Sequence, residues 1–360
     1  MSKPPRPPVV EPVETTRHPV VELVETTPPS QHRVVSTGST TGDGWAQPPE
    51  QPRRRMARKR ERGFPDEPEP LPVPVADNHT HLESIAGVLP DDVPAPSVAE
   101  HVARAAVAGV DRIVQVGCDL PSARWTDALL RSGEHPAIVG AVAIHPNEAV
   151  LHADAHDVGP DGQTYEREPH HHVPLDEAIA EIAGIARANP GVRAIGETGL
   201  DHFRTGDRGA AVQRESFRAH LAVARELDLP VQIHDRDAHA QVIDVLLADG
   251  APARTVFHCF SGDVQMAELA AEHGWYLSFA GPVTYRANQH LRDALRAVPL
   301  EQVLVETDAP YLTPHPFRGR PNAPYVVAHT VRALAEVLER PLDQVCATLS
   351  TTSDEVYGPW

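Results

Sequence analysis

From about residue 71 onward, short apolar runs alternate with amphipathic stretches, and the alternation repeats eight times. The apolar runs fall near residues 73–79, 112–117, 138–144, 192–197, 230–234, 255–259, 275–279 and 302–307, each of strand length. Between them the spacing predicts helices over 97–108, 175–188, 211–227, 238–248, 264–273 and 289–297, and a final helix near 325–338. Strands that recur with a helix between them run parallel, because the helix carries the chain back to the same edge. Eight such units predict an α/β fold, a closed (β/α)8 TIM barrel, which needs about 250 residues. Residues 71–360 supply that length, and a chain that is 41% hydrophobic can fill its core.

Six residues sit where these runs stop: His79 and His81, Glu197, His234, His258 and Asp308. Side chains alternate along a strand, so the His79-Thr80-His81 pair presents both imidazoles to one side. Imidazoles joined by carboxylates from other strands make a nitrogen and oxygen site for divalent metal. A lone buried histidine is ordinarily hydrogen-bonded core. Five strand ends carrying ligand types are another matter, since barrel enzymes build their sites on that C-terminal face.

Residues 1–70 are different material, with 14 of the 37 prolines and an octet, Val9-Val10-Glu11-Pro12-Val13-Glu14-Thr15-Thr16, that nearly recurs at 20–27. Such a segment buries too little to offset its chain entropy and is read as a disordered tail. The basic cluster Arg53-Arg54-Arg55-Met56-Ala57-Arg58-Lys59-Arg60 is read as a solvated charge run rather than a phosphate-backbone contact. The tail opens on prolines, not on the apolar core of a signal peptide, and no run is long enough to cross a bilayer. Cys118, Cys259 and Cys346 are odd in number and widely spaced, as expected of a reduced cytoplasmic protein. A monomer is expected. Residues 152–173, with Gly159-Pro160-Asp161-Gly162 and His170-His171-His172, read as a polar surface insertion after the third strand, whose triple histidine is read as part of a solvated loop rather than as a holder of stray metal.

Charge divides unevenly. Residues 1–70 carry 11 Lys or Arg against 10 Asp or Glu, and the remainder 21 against 40. So acidic a body is a poor non-specific binder of polyanions, whose phosphates must be held locally by cations and a few arginines.

The barrel region resembles the TatD family of metal-dependent deoxyribonucleases. The resemblance runs from about residue 73 to the C-terminus through His-x-His, Gly196-Glu197-Thr198-Gly199-Leu200-Asp201, Ile233-His234-Asp235-Arg236-Asp237-Ala238, Phe257-His258-Cys259-Phe260-Ser261-Gly262, Leu277-Ser278-Phe279-Ala280-Gly281-Pro282 and Glu306-Thr307-Asp308-Ala309-Pro310-Tyr311-Leu312. Each motif alone is weak, but their order is specific. The resemblance implies a barrel hydrolase with His79, His81, Glu197, His234, His258 and Asp308 as metal ligands, cleaving phosphodiester bonds of DNA, often from the 3′ end, with magnesium or another divalent ion. Two departures stand out: His202 where the family often has an aromatic residue, and Asn147 where a second histidine is frequent after His145-Pro146. Both are assigned to the substrate rim.

The only lysines are Lys3 and Lys59, so the carbamylated lysine that bridges the metals of many amidohydrolase barrels is impossible here. Glu197 is the natural substitute, bridging two ions (magnesium, manganese or zinc), one held by His79, His81 and Asp308 and the other by His234 and His258. Such a pair, about 3.5–4 Å apart, activates a water for attack on phosphorus. Asp308 is expected to orient that water and accept its proton, with Glu197 the other catalytic carboxylate. Candidate contacts to DNA, single-stranded or at 3′ ends, are His145, Arg236, Arg318 and Arg320. Asp77 and Asp201 are expected to orient imidazoles or close a loop, and Glu306, which alternation places on the same side as Asp308 one layer deeper, is expected to be structural or to act from outside the ligand set. The same chemistry also suits C–N or ester bonds, as in an aminoacyl-tRNA deacylase, and a metal-retaining binder without activity is a third class.

Overall fold

The computed structural model describes residues 63–90 and 93–360. The octet repeat and basic cluster lie outside them. Eight strands, β1 (Val75–Thr80), β2 (Val110–Gly117), β3 (Ile138–Val142), β4 (Val192–Asp201), β5 (Val231–Arg236), β6 (Thr255–Phe257), β7 (Tyr276–Phe279) and β8 (Val303–Val305), pair in parallel in chain order. The Asp308 amide donates to the His79 carbonyl at 2.9 Å and the His81 amide to the Ala309 carbonyl at 2.7 Å, so β8 returns to β1 and the barrel closes. Closure draws the two most distant ligand segments together.

Ten helices surround the described strands: α1 (Val98–Val107), α2 (Leu120–Ser132), α3 (Pro146–His152), α4 (Leu175–Ala188), α5 (Asp207–Leu227), α6 (His239–Asp249), α7 (Val264–Glu272), α8 (Gln289–Ala297), α9 (Val327–Leu338) and α10 (Leu342–Tyr357). Three of them correct the sequence reading. Helix α2 falls where the spacing predicts no helix; its Pro121 sits in the first helical turn, where proline is at home, and Asp119 caps the helix by accepting the Ser122 amide at 2.7 Å. The short α3 begins the insertion. The helix near 325–338 is not the last, because α10 follows it. Val356 and Tyr357 of α10 pack with Val114, Val139, Ala194, Val256 and Leu304 inside the barrel, where the Tyr357 hydroxyl accepts a hydrogen bond from Gln232 at 2.7 Å. The helix thus closes the end opposite the ligands.

Residues 63–70, assigned by composition to the tail, lie against the barrel. The Pro65 carbonyl accepts the Tyr325 hydroxyl at 2.5 Å, the Glu69 carbonyl accepts Arg332 at 2.7 Å, and Phe64 packs on the core. No described helix is long and apolar enough to cross a membrane.

His220 of α5 is fully buried, donating through Nδ1 to the Ser216 carbonyl at 2.8 Å and accepting the Ile144 amide at Nε2 at 3.1 Å. Burial, which disfavours the cation, lowers its pKa from 6.5 to about 4. The unfolded chain therefore binds a proton that the folded one refuses, so the stability this residue contributes is complete above pH 6.5 and is lost as pH falls toward 4. Between pH 7.5 and pH 5 the loss is about 2 kcal/mol. Urea denaturation of wild type and His220→Gln at both pH values checks this: the variant should lose correspondingly less, and equal losses would refute it.

Candidate active site

The strand ends meet in one hollow. His79 and His81, two positions apart on the end of β1, bring their Nε2 atoms within 3.3 Å of each other. Asp308 Oδ1 lies 3.3 Å from His81 Nε2 and 3.8 Å from His79 Nε2, and Glu197 Oε2 lies 3.4 Å from His79 and 3.9 Å from His81. His81 donates its Nδ1 proton to the Val116 carbonyl at 3.0 Å, so its other nitrogen can turn a bare lone pair to the centre. Donors held tetrahedrally at about 2.1 Å from one ion stand roughly 3.4 Å apart, close to the spacing found here.

The second carboxylate oxygen of Glu197 faces a different set. Oε1 is 2.8 Å from His258 Nε2, 2.5 Å from His234 Nδ1 and 3.6 Å from His145 Nε2. Glu306 fixes His258 from behind, its Oε1 meeting Nδ1 at 3.1 Å and accepting the Cys259 amide at 2.7 Å, which leaves Nε2 for a cation. Asp201 stands 3.3 Å from His234 Nε2 and accepts the Phe203 and Arg204 amides, both at 3.1 Å. Asp77 pins the end of β8, accepting the Thr307 amide at 2.8 Å and hydroxyl at 2.6 Å.

Backbone geometry serves these contacts. Gly199 has φ 148°, and a Cβ there would collide with the His234 carbonyl oxygen, so glycine lets β4 approach β5 beside the ligands. Asp308 itself takes φ 52°, a left-handed conformation that aspartate tolerates better than most residues.

The electrostatics are those of imidazoles crowded round few carboxylates. Burial alone would raise the Glu197 carboxyl, but His258, His145 and His234 hold it well below the ordinary range. Burial opposes charge on His81 and His234 too. Asp308 nevertheless holds His81 up at about 9, and Asp201 with Glu197 holds His234 up at about 10. Burial and the neighbouring His258 push His79 down to about 4. Donors this dense, oriented from behind and mixed in nitrogen and oxygen, fit one or two divalent cations of the zinc or manganese type.

The candidate substrate contacts separate. His145 accepts the Asn147 amide at Nδ1 (3.1 Å), so its neutral form carries the proton on Nε2, beside Glu197, and suits donation to an anion. The Arg236 guanidinium lies over the Phe203 ring at 4.2 Å and Arg318 over Tyr285 at 4.7 Å. Arg320, expected beside Arg318 on the substrate, instead donates to the backbone carbonyls of Gly63 and Phe64 and anchors the N-terminal strap. Asn147 is more than a rim residue: its Nδ2 donates to Asp201 at 2.9 Å and so supports the group behind His234. Sequence reasoning passed over Cys118, whose Sγ stands 3.5 Å from Glu197 Oε2. Its position one residue past the end of β2 was the available signal.

A (β/α)8 barrel with a buried imidazole and carboxylate centre at the C-terminal ends of its strands defines a metal-dependent hydrolase of the barrel class. The chain belongs to the TatD-related DNase family, whose pattern matches residues 76–358. It is 40% identical over 289 residues to an uncharacterized metal-dependent hydrolase, TatD, of Mycobacterium tuberculosis (strain ATCC 25618 / H37Rv), covering 79% of this chain and 98% of that relative. It is 31% identical over 267 residues to a protein named 3'-5' ssDNA/RNA exonuclease TatD from Citrobacter rodentium (strain ICC168), covering 72% of this chain and 91% of that one. The crystal structure of a TatD homologue from Escherichia coli K12 superposes with a TM-score of 0.65 at 26% identity, covering 79% of this chain and 98% of its own.

Proposed function

We propose that this metal-dependent hydrolase cleaves phosphodiester bonds of DNA, trimming single strands from the 3′ end. The observation that carries the proposal is the placement of Glu197, whose Oε2 faces His79 and His81 and whose Oε1 faces His258 and His234, so that one carboxylate could serve two cations. His79, His81 and Asp308 would hold one ion and His258 with His234 the other, both sharing Glu197. Two such ions would polarise a phosphate oxygen, lower the pKa of a water and offset charge on the leaving oxygen.

The chain's own groups supply the rest. Asp308 takes a proton from the attacking water, whose oxygen bonds to phosphorus as the P–O ester bond breaks, and that proton then passes to the departing ester oxygen, which leaves as a hydroxyl. His145 donates from Nε2 to a phosphate oxygen, and Arg236 and Arg318 hold neighbouring phosphates. A relative named for exonuclease action on single-stranded DNA and RNA supports the substrate class. The acidic body favours such local phosphate contacts over a broad basic surface.

The test incubates purified full chain with 5′-labelled single-stranded DNA, duplex DNA, RNA and aminoacyl-tRNA, with magnesium, manganese or zinc and with EDTA. Single-stranded DNA should shorten from its 3′ end in a ladder that EDTA abolishes. Release of amino acid with every polynucleotide intact, or inactivity with all three ions, would overturn the reading.

A further inference from the structure

The insertion after β3 is not the solvated histidine tract that its composition suggests. Glu148 and His152 lie four residues apart on α3, the spacing that puts two side chains on one helical face and lets them share an ion. His170 and His171, from the short turn Pro169–His172, meet Glu148 there. Glu148 Oε2 is 2.6 Å from His171 Nε2 and 3.4 Å from His170 Nε2, and the ring centroids of His152 stand 5.9 Å from His170 and 5.2 Å from His171.

We propose that Glu148, His152 and His170 form a cation site separate from the barrel mouth, taking one zinc-class divalent ion that staples residues 153–169 to the body of the protein.

Tautomers decide which nitrogens serve. His152 donates through Nδ1 to the Val173 carbonyl at 2.7 Å, so its Nε2 carries a bare lone pair. That atom is buried and has no hydrogen-bond partner among the described residues, in a residue only 4% exposed. A buried acceptor left without a donor costs free energy of about 1–3 kcal/mol, which a cation beside it would remove. His171 differs: its Nδ1 accepts the Glu168 amide at 2.7 Å, so its Nε2 carries a proton and donates to Glu148. It is a positioning residue, steering the carboxylate as outer partners steer metal ligands. His170 completes the set through Nε2. Imidazoles sharing one ion at about 2.1 Å have centroids roughly 5 Å apart, so the His152 and His170 rings, at 5.9 Å, would have to close by about 1 Å to share it.

Two nitrogens and one carboxylate oxygen, with room for water, suit zinc rather than magnesium. Burial alone would raise the Glu148 carboxyl, but His170 and His171 hold it far below its usual value, so it is an anion at neutral pH. The ligands bracket the insertion, and clipping a long loop at its ends restrains the whole of it. That loop reaches the mouth: Asp157 accepts the Thr205 hydroxyl at 3.0 Å and the Gly206 amide at 2.9 Å, and the Asp161 amide donates to the Phe203 carbonyl at 3.1 Å. The ion thereby fixes one rim of the active site.

The probe is zinc alone, added to the metal-free full chain. After dialysis, wild type should retain one more zinc per chain than the His152→Gln/His170→Gln variant, counted by inductively coupled plasma mass spectrometry, with both folds checked by circular dichroism. A second measurement needs no variant. Zinc, but not magnesium, should slow tryptic cleavage after Arg167 of the wild type, followed by peptide mass spectrometry. Equal zinc counts in the two folded proteins would overturn the proposal. So would tryptic cleavage after Arg167 at the same rate with and without zinc.

Discussion

Asp308→Asn should fold as the wild type does and lose roughly 10²–10⁴-fold in kcat, the range that removing a general base produces. The change keeps the shape of the side chain and its left-handed backbone, since asparagine tolerates that conformation as well as aspartate does. What it removes is charge 3.3 Å from His81, and with it the group proposed to take the proton of the attacking water. The fall should therefore appear in kcat, with KM for the oligonucleotide changing far less, because phosphate contacts from His145, Arg236 and Arg318 remain. Rates on a 5′-labelled single strand at saturating manganese check it. Unchanged kcat with full ion content would exclude Asp308 as ligand and base together.

The barrel and its mouth were legible because two periodicities, two along strands and 3.6 along helices, mark where each strand ends, and ligand residue types stand at those ends. His79 and His81 needed only alternation to be placed on one side, and Glu306, two positions before Asp308, was placed one layer deeper by the same rule. What stayed hidden depends on tertiary partners. Helix α10 contains Thr348, Ser350, Thr351, Thr352 and Ser353, poor helix formers that burial of Val356 and Tyr357 overrides. Arg320 looks like a phosphate clamp until the carbonyls of Gly63 and Phe64, more than two hundred residues away in sequence, are seen beneath it. His171 reads as surface by composition, yet it is fully buried, where Glu148, in the first turn of α3, offers it a carboxylate.

Glu197→Gln should reach further than Asp308→Asn, because among the described residues Glu197 is the carboxylate that faces His79 and His81 with one oxygen and His258 and His234 with the other. Glutamine keeps the volume but replaces one anionic oxygen by an amide nitrogen that cannot ligate, and it removes the negative charge that lies 2.8 Å from His258 Nε2 and 2.5 Å from His234 Nδ1. Both ions should be weakened, and losing the several kcal/mol of charge stabilisation they supply lowers turnover by about 10³-fold or more. The same loss is readable without substrate. An ion that binds only the folded state at about 100 times its Kd adds about 2.7 kcal/mol to stability. Metal-free wild type should therefore unfold at a higher temperature once manganese or zinc is added, while metal-free Glu197→Gln, folded by circular dichroism, should gain markedly less. Zinc held at the insertion would raise both proteins alike, so manganese is the sharper probe. Equal manganese-induced shifts in the two proteins would show that Glu197 is not a ligand, and the bridged two-ion centre would fall with it.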